Sequence, residues 1–226
     1  MSEHLSIVNL NEDEKTSHAL GYDFLPNPRK PFRFLVIGSS GSGKSMMIRN
    51  LVERDEFGYA GYYKQEMFLI SETLGMDRCW NALAKRLPKE HVMDKWDDGT
   101  VRQMMEYSKK TKTGTLWILD DLITSEAMAN KRGLLLQKLF VMGRHYKCSL
   151  LLTSQKYRAI PSIMRANSTH VAVFAMRNTL EKKSFFEDHD AEGLPEKFEL
   201  ATSPPHGFFF LIKDSWRCFA NFEEEL

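Results

Sequence analysis

Gly38-Ser39-Ser40-Gly41-Ser42-Gly43-Lys44-Ser45 is the stretch from which the rest of this 226-residue chain is read. It fits G-x-x-x-x-G-K-[ST], the pattern of a phosphate-binding loop. Phe34-Leu35-Val36-Ile37 precedes it as a short apolar run expected to be a buried strand. Met46, Met47, Ile48, Leu51 and Val52 follow at helical spacing. A loop between strand and helix suits the chemistry, because a helix N-terminus offers N–H groups and the positive end of its dipole to a phosphate. Gly38, Gly41 and Gly43 are expected to give the backbone positive φ and a close approach without an intervening Cβ. Lys44 would reach the β- and γ-phosphates and the Ser45 hydroxyl would bind Mg²⁺, with Met46 completing the cradle. ATP and Mg²⁺ are the expected cofactors.

Leu116-Trp117-Ile118-Leu119-Asp120-Asp121 is the second informative stretch. An apolar strand ending in acid brings a carboxylate to the carboxyl edge of a sheet, where nucleotides bind in open α/β proteins. Asp120 is read as the Mg²⁺ partner, directly or through water, and Asp121 as the group that polarises the attacking water. Cys148-Ser149-Leu150-Leu151-Leu152-Thr153 is a further strand that closes on Ser154-Gln155. Gln155 would face the same edge and sense the γ-phosphate or orient water. Each feature alone has a plainer reading, an Asp-Asp turn or a capping amide; their pairing with the loop favours the nucleotide site.

The balance of 31 basic against 30 acidic residues leaves a net charge of +1, so global charge does not announce a nucleic-acid binder. Any DNA contact must come from a local patch or from several subunits. Cys79, Cys148 and Cys218 are too far apart for a zinc spacing or a disulfide framework and are expected to be buried thiols of a reduced compartment. The polar start Met1-Ser2-Glu3-His4 lacks the apolar region of a signal peptide, and no apolar run approaches a membrane span.

Residues 1–28 read as a partly ordered extension, broken by Pro26 and Pro28, and 29–226 as one α/β domain. Gly58 and Gly61 mark a loop, and Met67-Phe68-Leu69-Ile70-Ser71 a strand. Met76, Trp80, Leu83 and Leu87 give helical spacing over 76–87, with a further helix over 100–109. Lys109 to Gly114 is a basic turn, and 126–142, with Met128, Leu135 and Phe140, a core-packed helix ended by Gly143-Arg144-His145. A short helix over 162–167, a strand over 169–174 and a charged helix over 178–190 follow. Residues 203–206 turn the chain, Phe208–Ile212 and Trp216–Phe219 form a terminal hairpin, and Glu223-Glu224-Glu225 is a solvated acidic tail.

This order resembles the FtsK/HerA superfamily of DNA-pumping ATPases, and within it the poxvirus-type (A32-like) genome-packaging ATPases of large DNA viruses. Pro31-Phe32-Arg33 before the loop, Leu119-Asp120-Asp121-Leu122, Arg144-His145 with Thr153-Ser154-Gln155, and Ile160-Pro161 with Arg165-Ala166-Asn167 carry the resemblance over roughly residues 29–220. It implies a RecA-like P-loop fold, with a mostly parallel sheet flanked by helices and a C-terminal β-hairpin. It also implies a homo-oligomeric ring, a pentamer or hexamer, with each nucleotide at a subunit interface. Lys44, Ser45, Asp120, Asp121 and Gln155 would come from one subunit and an arginine from its neighbour. Arg144 is the choice for that arginine, with Arg158 and Arg165 open alternatives.

The chain departs from the wider superfamily in two places. Asp121 stands where many translocases have Glu, so its reach to water is one methylene shorter; Glu72 and Glu126 are fallback bases. Thr-Ser-Gln replaces the commoner Thr-Gln, which could displace Gln155 by one position. The implied partners are double-stranded DNA and capsid vertex or portal components, at a viral assembly site in the host cytoplasm or in the virion. Lys156 and Arg158, then Lys182 and Lys183, are the candidate DNA contacts. A cellular translocase is the nearest alternative. A small-molecule P-loop kinase would need an arginine-rich lid that the sequence does not display, and a nucleotide-gated scaffold would need neither Asp121 nor Gln155.

Overall fold

A computed structural model of the chain describes residues 22–122 and 133–226. The extension from 1 to 21, the start of the helix expected from 126, with Met128, and the fallback base Glu126 lie outside the described residues. Of the segment read as extension, 22–28 packs onto the domain. Leu25 is buried, the Tyr59 hydroxyl donates to the Pro26 carbonyl, and the Tyr63 hydroxyl donates to the Pro28 carbonyl.

The described strands are β1 (Arg33–Ile37), β2 (Met67–Ser71), β3 (Val92–Met93), β4 (Thr115–Asp120), β5 (Cys148–Ser154), β6 (His170–Phe174), β7 (Phe208–Ile212), β8 (Arg217–Ala220) and β9 (Glu224–Glu225). They form one sheet in the order β3-β2-β4-β5-β1-β6-β7-β8-β9. Strands β3 to β6 pair parallel, and β7 to β9 continue antiparallel. The expected terminal hairpin is thus part of a three-stranded meander. The acidic tail is no mere solvated end: Glu224–Glu225 pair with β8, and Glu225 binds Arg217 at 2.7 Å.

The helices are α1 (Lys44–Glu53), α2 (Tyr59–Tyr63), α3 (Arg78–Ala84), α4 (Asp98–Lys110), α5 (Gly133–Met142), α6 (Ser162–Asn167), α7 (Thr179–Asp188) and α8 (Leu194–Thr202). Alternation along each strand divides the core between the two faces. Leu35, Ile37, Val171, Val173 and Phe209 face α4 to α8, while Phe34, Val36, Phe208 and Phe210 face α1 to α3. Both faces are covered, which is why these strands read as continuous apolar runs. The sheet is the RecA-like P-loop arrangement. Strand β5 lies between the phosphate-loop strand β1 and the acidic strand β4, so the carboxyl ends of all three meet at one edge.

Two helices depart from the sequence reading. Gly58 and Gly61 flank and enter α2 rather than a plain loop, because Tyr59 and Tyr63 are buried and Ser149 Oγ lies 2.8 Å from the Tyr63 hydroxyl oxygen. Helix α8 is not among the expected elements, although it carries a readable signature: proline in its first turn and Leu194, Phe198, Ala201 and Thr202 buried on one face. The three cysteines are free and buried, as expected. Burial pushes the Cys79 thiol up to about 12 and that of Cys148 to about 11.

His170 opens β6 beside Phe210, with ring centroids 5.9 Å apart and planes 12° from parallel, and its Nδ1 lies 2.8 Å from Thr169 Oγ1. Burial, reinforced by Arg33, lowers its pKa from 6.5 to about 3. Burial, reinforced by Lys213, likewise brings His189 to about 4. Folded values below the unfolded one mean that the unfolded chain binds more protons in acid. The stability is therefore complete above pH 6.5 and falls as pH drops toward these values. Each histidine costs at most about 1.4 kcal/mol per pH unit over that window. Urea midpoints measured from pH 7 to 4 are expected to decline, and His170→Phe to flatten the decline. An unchanged profile in the variant removes His170 as its source.

Candidate active site

The phosphate loop runs from the end of β1 into α1. Gly43 is the N-cap of α1 at φ 112° and offers no side-chain cap, so the first-turn N–H groups are left to a ligand. Gly41 also has positive φ, 74°, but Gly38 is not among the positive-φ glycines, contrary to the sequence reading. Gly38 is required for space. A Cβ there would lie 2.5 Å from Ser42 Oγ and 2.9 Å from Phe174 Cβ. Lys44 folds back over the loop, its Nζ donating to the carbonyls of Gly38 at 2.7 Å and Ser39 at 3.0 Å. Burial lowers its pKa, while Asp121 and then Asp120 oppose the shift, so both carboxylates lie within electrostatic reach of the ammonium. Ser39 and Ser40 are exposed on the loop, and Ser45 and Met46 are half-buried at the start of α1.

Asp120 is the last residue of β4 and is buried. Its Oδ1 accepts from Thr153 Oγ1 at 2.8 Å; its Oδ2 accepts from Trp80 Nε1 at 2.7 Å, Ser71 Oγ at 2.8 Å and Thr73 Oγ1 at 3.3 Å. Asp121 follows in a left-handed conformation, φ 50°, which turns its side chain out of the strand's alternation. Its N–H donates to Thr153 Oγ1 at 2.9 Å, and its Oδ2 accepts from Gln155 Nε2 at 2.5 Å. The extra serine before Gln155 does not displace the amide from this edge. Ser154 pairs with Ile37 in register, and its hydroxyl turns back to Lys156.

Loop lysine, two carboxylates and amide therefore share one edge, as expected. Arg144 does not. It sits exposed in a 3₁₀ turn, Gly143–Tyr146, that leads into the amino end of β5. Strand β5 is seven residues long, about 20 Å, so Arg144 and Gln155 stand at opposite edges of the same subunit. Arg144 also helps lower the pKa of Arg33, which begins β1 at that amino edge. Arg165 is committed elsewhere, paired with Asp188 at 2.6 Å and lying over the Tyr157 ring. Arg158 is exposed beside Glu181, and Glu72 is exposed just past the end of β2. Lys182 and Lys183 pair with Glu199 and Glu187.

Other residues of the site were not singled out from sequence. Thr153, Ser71, Thr73 and Trp80 surround the Asp120 carboxylate. His206, at φ 60°, places Nδ1 3.0 Å from the Ser42 carbonyl of the loop. A cleft of ≈ 410 Å³ opens beside Gly38–Ser40 and Gln155, with Arg177 on its wall. The threonine before Ser-Gln and the serine ending β2 could have been suspected as strand-end hydroxyls. His206 comes from 164 residues away, and no local signal marks it.

The chain is 24% identical over 174 residues to "Uncharacterized protein 088R" of Invertebrate iridescent virus 3, covering 74% of this chain and 62% of that protein. The chain thus spans less than two thirds of that relative's length. Its fold matches the genome packaging NTPase B204 from Sulfolobus turreted icosahedral virus 2 in complex with AMP, with TM-score 0.63 at 17% identity over 86% of this chain and 97% of that one. It also matches B204, the DNA-packaging ATPase from Sulfolobus turreted icosahedral virus, with TM-score 0.62 at 15% identity over 84% and 97%. At such identities the likeness is one of fold. The Poxvirus A32 protein family model matches residues 22–184, a span that holds the phosphate loop, Asp120, Asp121 and Gln155, and the chain belongs to that family.

Proposed function

We propose that this chain is an ATP-hydrolysing motor that moves double-stranded DNA, driving a viral genome into its capsid as a homo-oligomeric ring. The observation that carries the reading is the meeting of Lys44, Asp120, Asp121 and Gln155 at one sheet edge, around an uncapped helix N-terminus. Family membership and the DNA-packaging ATPases that share the fold supply the polymer and the setting.

The residues fit a triphosphate. The Ser42 hydroxyl is buried in the loop without a hydrogen-bond partner, and Gly38, Ser39 and Ser40 line a cleft of ≈ 410 Å³. Lys44 has three N–H donors and gives two to loop carbonyls, which leaves one for an anion. They also fit Mg²⁺, which favours oxygen donors and is commonly held by one or two carboxylates together with substrate phosphates. Among the described residues no group of three or more His, Cys, Asp or Glu is arranged to hold a metal by itself. Ser45 and the Oδ1 side of Asp120 would hold the ion, which supplies neutralisation of charge on the phosphoryl oxygens.

The protein's own groups then divide the work. The N–H groups of the loop and the Lys44 ammonium position the phosphates. The Asp121 carboxylate accepts from an attacking water, and Gln155, bonded to that carboxylate, orients the pair. Arg144, at the opposite edge from its own Gln155, serves the site of the next subunit. A capsid vertex would anchor the ring at the viral assembly site. Among the described residues no helix is long and apolar enough to cross a membrane.

The test measures ATP hydrolysis with and without double-stranded DNA over a salt series, beside size-exclusion chromatography. Stimulation that fades with salt, on a ring-sized species, is expected. A monomer indifferent to DNA at every salt concentration would overturn the reading.

A further inference from the structure

We propose that Trp80 is a positioning residue for the metal-side carboxylate: its indole N–H fixes which oxygen of Asp120 is left for the ligand. The inference rests on the assignment of Asp120 to Mg²⁺ and extends it to a side chain on a different element, α3.

Asp120 Oδ2 accepts from Trp80 Nε1 at 2.7 Å, Ser71 Oγ at 2.8 Å and Thr73 Oγ1 at 3.3 Å, whereas Oδ1 accepts from Thr153 Oγ1 at 2.8 Å. The donors are not equivalent. Ser71 and Thr73 place their hydroxyl oxygens 2.9 Å apart, so either can turn its proton onto the other instead of the carboxylate. Thr153 also accepts from the Asp121 N–H. An indole N–H can only donate, in the plane of its ring, and this ring has no room to turn: Trp80 is fully buried. Trp80 therefore pins Oδ2 whatever the hydroxyls do. Oδ1, with its single bond to Thr153, keeps lone-pair capacity.

The backbone around Trp80 is fixed for this purpose. Asp77 caps α3, its carboxylate accepting from Cys79 N at 2.7 Å. The indole shares a core with Met47 and Leu51 of α1, the helix whose first residues are Lys44 and Ser45. One side chain thus orients the carboxylate through its nitrogen and seats the phosphate-loop helix through its ring. Groups that hold a metal-binding carboxylate in place commonly change metal affinity 10–100-fold when removed.

Two variants separate the N–H from the ring. Trp80→Phe removes the donor and some volume; replacement of Trp80 by β-(3-benzothienyl)alanine keeps the bicyclic shape and removes only the N–H. Nucleotide binding is followed by calorimetry at increasing Mg²⁺ with a non-hydrolysable ATP analogue, beside thermal unfolding. Both variants are expected to need about tenfold more Mg²⁺ for half-saturation. The benzothienyl protein is expected to stay folded, its melting temperature lowered only by the loss of one hydrogen bond to a carboxylate, and to keep the wild-type affinity for the analogue without Mg²⁺. Wild-type Mg²⁺ dependence in the benzothienyl protein overturns the proposal, even where Trp80→Phe fails to fold, because the ring would then be purely structural. Wild-type protein that binds no analogue at all overturns the nucleotide reading itself, a result distinct from normal binding with unmoved Mg²⁺ dependence.

Discussion

Lys44→Ala is expected to lower ATP turnover about 10³-fold or more while leaving the fold intact. On the proposed reading the ammonium acts where negative charge accumulates. It sits over the loop at 2.7 Å from the Gly38 carbonyl, with Asp121 and Asp120 close enough to oppose the burial-driven fall in its pKa. In the buried site that charge acts with little screening from water. Its loss also removes two hydrogen bonds that brace the loop, so nucleotide affinity falls too. The loop lies outside both apolar layers, so the melting temperature is expected to shift by only a few degrees, as for loss of about 1 kcal/mol in a domain of this size. Steady-state phosphate release and thermal unfolding of the same preparation check both halves. Turnover within about threefold of wild type would remove Lys44 from the chemistry.

Arg144→Ala is expected to be almost as damaging, by the ~10³–10⁵-fold associated with an arginine supplied to a phosphoryl-transfer site. The distinguishing result comes from mixing. Arg144 stands at the amino edge of β5 and Gln155 just past its carboxyl end, so an intact Arg144 cannot serve the nucleotide of its own subunit. An Arg144→Ala subunit retains a full phosphate loop, and a Lys44→Ala subunit retains the arginine. Equal amounts co-assembled should place both intact parts at about a quarter of head-to-tail interfaces, and so recover activity that neither variant shows alone. Native mass spectrometry verifies co-assembly. Mixed rings without recovered turnover would assign the role to another arginine, with Arg177 on the wall of the neighbouring cleft first in line.

What could be read from the sequence is what depends on chain-local geometry. A glycine-rich loop between an apolar run and a helix, and apolar runs ending in Asp-Asp or Ser-Gln, are strand ends, and strand ends of a parallel sheet gather at one edge. Such strand ends bring Lys44, Asp120, Asp121 and Gln155 together from the sequence alone. The remainder depends on distant partners. The left-handed Asp121 has no composition signal, since aspartate is common at ordinary φ as well. Trp80 read as one more apolar residue on a helix face; only the fold shows its nitrogen bonded to a carboxylate 40 residues on. Gly38 is expected at positive φ, yet what requires glycine there is crowding by Ser42 and Phe174, a tertiary fact. Helix α2 is five residues held by Tyr59 and Tyr63, and β3 is two residues, too short for any periodicity to register.

The two borders of the sheet are its shortest strands, β3 with two residues and, among the described residues, β9 with two. A long bare border would offer a row of amide groups to any passing chain. Here β9 is Glu224–Glu225, both exposed, with Glu225 tied to Arg217. Two such borders brought together would oppose carboxylate to carboxylate. Copies of this chain crowded side by side are thereby discouraged from zippering their sheets into one continuous ribbon, whatever brings them into contact.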